Sequence, residues 1–159
     1  MSTLPATFSF DTFDVEDSVG YLLSRAKTML SKSIDDSLSK LGITHAQGSV
    51  FMMLALGKCS TAAELARDLF TDAAAMKRML DRMEAKGFLT RVADSHDRRL
   101  FKLELTATGK VLAQQLPAIY AEVLCVGFTG FSNEEIGFLK SLLRKLLANR
   151  AILETHQFN

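Results

Sequence analysis

The chain is short of the residues that most often mark special chemistry. Cysteine occurs twice in 159 residues, as Cys59 and Cys125, and no CxxC is present. That excludes a disulfide framework and a thiolate metal cluster, so both are expected as reduced thiols. Cys125 reads as a core residue. Cys59 stands just ahead of a helix start, a position that lowers a thiol pKa. The three histidines, His45, His96 and His156, are far apart and show no metal-ligand spacing, so no metal is expected. A G-x-G-x-x-G, a P-loop and a nucleophile with a neighbouring base are all missing. No cofactor is therefore expected, and the chain does not read as an enzyme. Long apolar runs are lacking too: none approaches the ~20 residues of a membrane span. The opening MSTLPATFSFDTFD has neither a basic nor an apolar leader segment. Residues 1–13 are read as a loose N-terminal arm, and the expected location is the cytoplasm. Tryptophan is absent while methionine occurs seven times, which suits an adaptable helical interior. Neither internal repeats nor low-complexity tracts interrupt the chain.

A large net charge is also absent. The formal value of +1 says nothing about nucleic acid, but its distribution does. Between Lys77 and Lys102 stand eight cations (Lys77, Arg78, Arg82, Lys86, Arg91, Arg98, Arg99, Lys102) against Asp81, Glu84, Asp94 and Asp97. The segment is +4, so the remainder sums to −3. A basic footprint concentrated in one stretch is what a polyanion would meet.

The apolar pattern is mostly helical. From Asp14 to Leu41, spacings of three and four (Val15, Val19, Leu22, Ala26, Met29) predict a long amphipathic helix with Gly42 as its stop. Thr44 followed by Gln47 is a capping box opening a largely apolar, buried helix to about Leu56. Thr61 with Glu64 opens a short helix ending near Phe70. Thr71-Asp72 opens AAAMKRMLDRMEAKG, which stops at Gly87. After a hairpin, Thr106 caps a long helix that Pro117 is expected to kink. Ser132 with Glu135 opens a last helix to about Leu153, with Ile136, Leu139, Leu142, Leu143, Leu146 and Leu147 at roughly heptad spacing.

The hairpin is the informative piece. FLTRVA, from Phe88 to Ala93, reads as one strand. Beyond the polar connection DSHDRR the side chains alternate, with Phe101, Leu103 and Leu105 on one face and Lys102 and Glu104 on the other. Two arginines, Arg98 and Arg99, sit at or near the tip. Two short helices joined by a tight turn and followed by a hairpin form a winged helix-turn-helix pattern. The fold class expected is mainly α with a small β-hairpin wing, flanked by long N- and C-terminal helices. Residues 44–106 form the module, and 14–43 with 107–159 supply dimerisation helices, all in one compact domain. The terminal helices carry more apolar surface than the small module can cover, which predicts a two-fold homodimer.

At TAAELARDLF, MKRMLDRMEAKGFLTR and DSHDRRLFKLELTATGK the sequence resembles the MarR family of bacterial regulators. The likeness rests on Asp81-Arg82-Met83-Glu84-Ala85-Lys86-Gly87-Phe88-Leu89, on Asp97-Arg98-Arg99, and on Leu105-Thr106-Ala107-Thr108-Gly109. It covers about Thr61 to Gly109; the flanking helices match in layout rather than in residues. The resemblance implies a repressor of double-stranded operator DNA. The helix after Thr71 would enter the major groove, where each base pair presents its own donor and acceptor pattern. Thr71, Ala74, Lys77, Arg78 and Arg82 are its contact candidates. The wing would reach the minor groove, with Arg99 inserted, Asp97 holding its guanidinium, and Arg98 on phosphate. One departure stands out. Family members usually carry hydroxyl or amide side chains in the first turn of this helix, and here it is Ala73-Ala74-Ala75. Alanine meets a thymine methyl but makes no hydrogen bond, so readout is expected to lean on Thr71, Lys77, Arg78, the wing and DNA shape.

The family commonly answers small aromatic acids or phenols bound between dimerisation helices and module. The residues offered for such a ligand are Tyr21, Ser24 and Arg25 on the first helix and His45, Gln47, Phe51 and Met52 on the second. Family peroxide sensors carry a reactive cysteine near the start of the first long helix. Cysteine is absent here before position 59, which leaves Cys59 as the alternative, thiol-responsive reading. A winged-helix protein–protein module without DNA binding is the other alternative; Arg98, Arg99 and the local +4 argue against it.

Overall fold

The computed structural model describes residues 14–93 and 101–157. Its element order is α1 (Val19–Ser39), α2 (His45–Ala55), α3 (Ala62–Asp68), α4 (Ala73–Ala85), β1 (Leu89–Ala93), β2 (Phe101–Leu105), α5 (Ala107–Gly127), α6 (Asn133–Ala148) and α7 (Arg150–Thr155). The fold class is the expected one, helical with a two-stranded antiparallel hairpin and helices at both ends. The tip, with Asp97, Arg98 and Arg99, lies outside the described residues.

Capping chemistry sets most boundaries. Thr44, Thr61 and Ser132 each accept from the third backbone N–H of their helix, while Gln47, Glu64 and Glu135 reach back to the cap. Each box satisfies two donors that a helix start would otherwise leave unpaired. Gly42 ends the α1 segment at φ +68°, a left-handed conformation that glycine adopts without a Cβ penalty. Two boundaries differ from expectation. α1 begins at Val19, not Asp14, because Ser18 takes the cap and accepts from the Tyr21 N–H. The last helix breaks at Asn149, which caps the C-terminus of α6 before α7 begins. α5 runs as one element through Pro117 to Gly127. Ala113 and Leu116 are buried before the proline, and Ile119 and Tyr120 pack against the same core after it.

The described residues form two compact units, divided between Leu124 and Cys125. In the first, one core joins Ile34 and Leu38 of α1, Val50 and Phe51 of α2, Leu65 of α3, the Met76, Leu80 and Met83 face of α4, and Leu89, Leu103 and Leu105 of the hairpin. Arg91 pairs with Leu103 and Leu89 with Leu105 in the antiparallel register. Leu103 also donates its N–H to Ser60 O at 2.7 Å, tying the hairpin to the segment before α3. Thr106 secures its base: its N–H donates to Phe88 O (3.1 Å), its hydroxyl donates to Gly87 O (2.6 Å), and Gly109 N–H returns to its Oγ1 (3.1 Å). A Cβ at Gly109 would collide with the Phe88 carbonyl. The Leu105-Thr106-Ala107-Thr108-Gly109 run is thus a joint between α5 and the hairpin.

The second unit is different in kind. None of the residues of α6 or α7 is buried, and Phe138, Leu142, Leu146, Leu147, Ile152 and Leu153 are exposed. Cys125 is exposed as well, which corrects its reading as core: the buried positions of α5 end at Leu116.

Candidate nucleic-acid interface

The helix-turn-helix is built from α3 and α4. Glu64 holds the start of α3, accepting from Ser60 N–H at 2.7 Å and Thr61 N–H at 3.0 Å. Those backbone donors, Ser60 first, pull its carboxyl below the usual glutamate range. The turn passes through Phe70 at φ +51°, a conformation uncommon outside glycine. Thr71 N–H then bonds back to Ala66 O at 2.9 Å, and Asp72 caps α4 by accepting from Ala75 N–H at 2.8 Å.

α4 is sharply two-faced. Met76, Met79, Leu80 and Met83 are buried, which leaves Ala73, Ala74, Lys77, Arg78, Asp81 and Arg82 on the exposed face. Arg78 and Arg82 make no ion pair with a described residue, whereas Lys77 stands 3.7 Å from Asp81. The Thr71 hydroxyl donates to Leu69 O at 3.2 Å, so it offers a base edge only acceptor capacity. Among the described residues the first turn therefore presents methyl groups and no free side-chain donor. Lys86 belongs to the scaffold instead: Nζ donates to Gly42 O at 2.9 Å and lies 5.9 Å from the centre of the Phe88 ring.

Arg91 was not among the sequence candidates. From β1 its guanidinium reaches Asp81 Oδ1 at 2.7 Å through Nη2 and Glu84 Oε2 through Nη1, while its backbone N–H donates to Glu84 Oε1 at 3.2 Å. A signal was available: Arg91 alternates with Leu89 on the core side of the strand, where a charge requires a partner.

The ligand candidates fall in separate places. Tyr21 and Arg25 pair with each other, Arg25 Nη1 donating to Tyr21 Oη at 3.0 Å. Ser24 is exposed on the same helix. His45 belongs to another group: its N–H donates to Asp35 Oδ1 at 2.6 Å, its Nδ1 lies 3.1 Å from Ser31 Oγ, and its ring meets Tyr120 edge-on. Burial, opposed in part by Asp35, lowers the His45 pKa. The Gln47 carboxamide accepts from the Thr44 N–H in the cap. Phe51 is fully buried against Phe88. Only Met52 lines a cleft of about 510 Å³, together with Leu54, Ala55 and Leu56 of α2, Leu103, Glu104 and Leu105 of β2, and Lys110, Ala113, Gln114 and Pro117 of α5. Lys110, Gln114 and Pro117 follow helical spacing, but no single segment of the sequence reveals the three-sided cleft they help form.

Cys59 departs from its expectation. It is buried, and Sγ lies 3.6 Å from Asp68 Oδ2 as donor. Burial first, then Asp68, push its pKa up rather than down, so the thiolate needed for redox chemistry is disfavoured.

The MarR family model matches residues 41–100. The multiple antibiotic resistance protein MarR of Escherichia coli is 30% identical over 138 residues, which is 86% of this chain and 96% of that protein. The chain belongs to the MarR family. The organic hydroperoxide resistance transcriptional regulator of Bacillus subtilis is likewise 30% identical over 138 residues, 87% of this chain and 92% of that one. A mutant of E. coli MarR complexed with operator DNA superposes with TM-score 0.76 at 27% identity, covering 85% of this chain and 99% of that chain. The reduced form of E. coli MarR gives 0.72 at 27% identity, covering 82% and 96%. The matched span begins just after α1 and includes α2, α3, α4 and β1. No helix among the described residues is long and apolar enough to cross a membrane.

Proposed function

We propose that this MarR-family protein is a homodimeric, non-enzymatic transcriptional regulator of the cytoplasm, a repressor that binds a pseudopalindromic operator. The observation that carries the reading is the exposed cationic face of α4, Lys77, Arg78 and Arg82, set on a core-anchored helix beside the hairpin. That face suits the major groove, and the relative seen with operator DNA has the same fold. Arg99 enters the minor groove, Asp97 orients it, Arg98 meets the phosphate backbone, and Thr71 offers a base edge its acceptor oxygen. Ala74 contributes apolar contact only. Residues 44–106 act as the DNA module and residues 14–43 and 107–159 as dimerisation helices. The exposed large apolar side chains of α1, α5 and α6 support that division, because apolar surface left in water marks an interface.

A small aromatic carboxylate or phenol releases the repressor. The cleft between α2, β2 and α5 supports this reading: its volume falls in the roughly 300–1,000 Å³ range of ligand sites, it is mainly apolar, and Lys110 supplies a cation. It touches α5 and the hairpin together, and release requires a ligand whose contacts differ between the two states. Fluorescence anisotropy of a labelled duplex from the chain's own upstream region tests both parts. Tight binding with a steep salt dependence, weakened by Arg99→Ala and by Lys77→Ala, is expected. Benzoate or phenol should then weaken binding, and Lys110→Ala should blunt the benzoate response. Equal weak binding by all variants would remove the regulator reading. Strong binding that no aromatic acid or phenol alters would remove the effector.

A further inference from the structure

We propose that Arg91 is a positioning residue for DNA binding, which holds the Asp81 and Glu84 carboxylates and offsets their charge so that the exposed face of α4 remains attractive to phosphate. The inference rests on the DNA-binding reading above. Asp81 shares the face of Lys77, Arg78 and Arg82, one turn beyond Lys77. A bare carboxylate there would repel the polyanion that its neighbours attract. It has two cationic partners of unequal quality. Lys77 is remote at 3.7 Å, with a side chain 77% exposed. Arg91 makes the closer contact at 2.7 Å, from a side chain only 29% exposed and also fixed by Glu84. Arg91 is also the main cause of the lowered Asp81 pKa, ahead of Lys77.

The arrangement assigns each cation a task. Lys77 is long, exposed and weakly held, so it can leave Asp81 for a phosphate. Arg91 is committed to both carboxylates and stays. Without Arg91, Lys77 would have to choose between Asp81 and DNA. The effect is electrostatic, so it weakens as salt screens the charges. A purely mechanical tie between β1 and α4 would show no such dependence.

The test uses the full-length protein, the labelled upstream duplex and a random-sequence duplex, between about 50 and 200 mM salt. Arg91→Ala should weaken binding to both by about ten-fold at the low end, roughly three-fold per protomer compounded in a dimer, with the gap narrowing at the high end. Adding Asp81→Asn should recover most of the affinity while the melting temperature stays at that of Arg91→Ala. Asp81→Asn alone should strengthen binding modestly, because it removes a negative charge that Arg91 offsets only in part. If the alanine variant does not fold, Arg91→Gln carries the same comparison. The inference is overturned if Arg91→Ala lowers the melting temperature yet binds as wild type. A loss that Asp81→Asn does not recover also overturns it, since Arg91 would then be a strut or a phosphate contact. Wild-type protein that binds neither duplex would overturn the regulator reading along with it. Salt-dependent wild-type binding without an Arg91 effect would overturn this inference alone.

Discussion

The module around α4 and the C-terminal unit handle apolar surface in opposite ways. In the first, α4 buries Met76, Met79, Leu80 and Met83 against a shared core. In the second, α6 has an equally regular apolar pattern and buries none of it. Both helices are amphipathic and both are firmly capped by side chains. The difference lies in what faces them. α4 meets residues of its own chain, while Leu142 and Leu146 remain 49% and 45% exposed. An amphipathic helix is completed either within a chain or by a second copy, and we assign α6 to the second case.

Substitutions sharpen that contrast. The largest effect is expected from Leu142→Asp combined with Leu146→Asp. Sedimentation velocity should show a monomer, and operator affinity should fall by roughly two orders of magnitude as half the contacts leave the complex. A double variant that stays dimeric would move the interface elsewhere. Next comes the same chemical change in the two regions. Leu80→Ala should cost about 2–5 kcal/mol in urea unfolding at any protein concentration, because it opens a cavity in a packed core. Leu146→Ala should cost stability that depends on protein concentration, as loss of a subunit contact does. Gly109→Ala should cost about 1–3 kcal/mol, since the Phe88 carbonyl occupies the space of its Cβ and the joint must shift to admit it. Hydrogen exchange of the hairpin amides should rise in that variant.

The smallest effect concerns pH. The folded His45 pKa lies below its ordinary value of 6.5. The unfolded state therefore binds the proton more readily. The stability tied to neutral His45 is present above about pH 6.5 and is lost as pH falls through the folded pKa. His45→Gln should flatten the acid side of a plot of melting temperature against pH, leaving values above neutrality nearly unchanged.

Much of the architecture was legible because its causes are local. Thr44 with Gln47, Thr61 with Glu64 and Ser132 with Glu135 are three residues apart, and each pair caps a helix as its spacing implies. The alternation of Leu103 and Leu105 with Lys102 and Glu104 likewise set the inner face of β2. What escaped was non-local. The cleft joins Met52, Leu103 and Lys110 from three elements, and no periodicity links them. Tyr120 packs where a side chain at Gly48 would stand, a fit that neither residue announces alone. Cys59 looked like a helix-start thiol, but its burial beside Asp68 reversed the expected shift. Val15 keeps the apolar spacing, which predicts a start for the first helix five residues ahead of Val19, where Ser18 takes the cap.

Hydroxyl-radical footprinting of the upstream duplex, bound by full-length protein, tests the central claim most directly. Two copies that each present α4 to one half-site should protect two blocks related by a two-fold axis. Their centres should lie about one helical turn, or a whole number of turns, apart. A single block, or protection no stronger than on an unrelated duplex, would contradict the account.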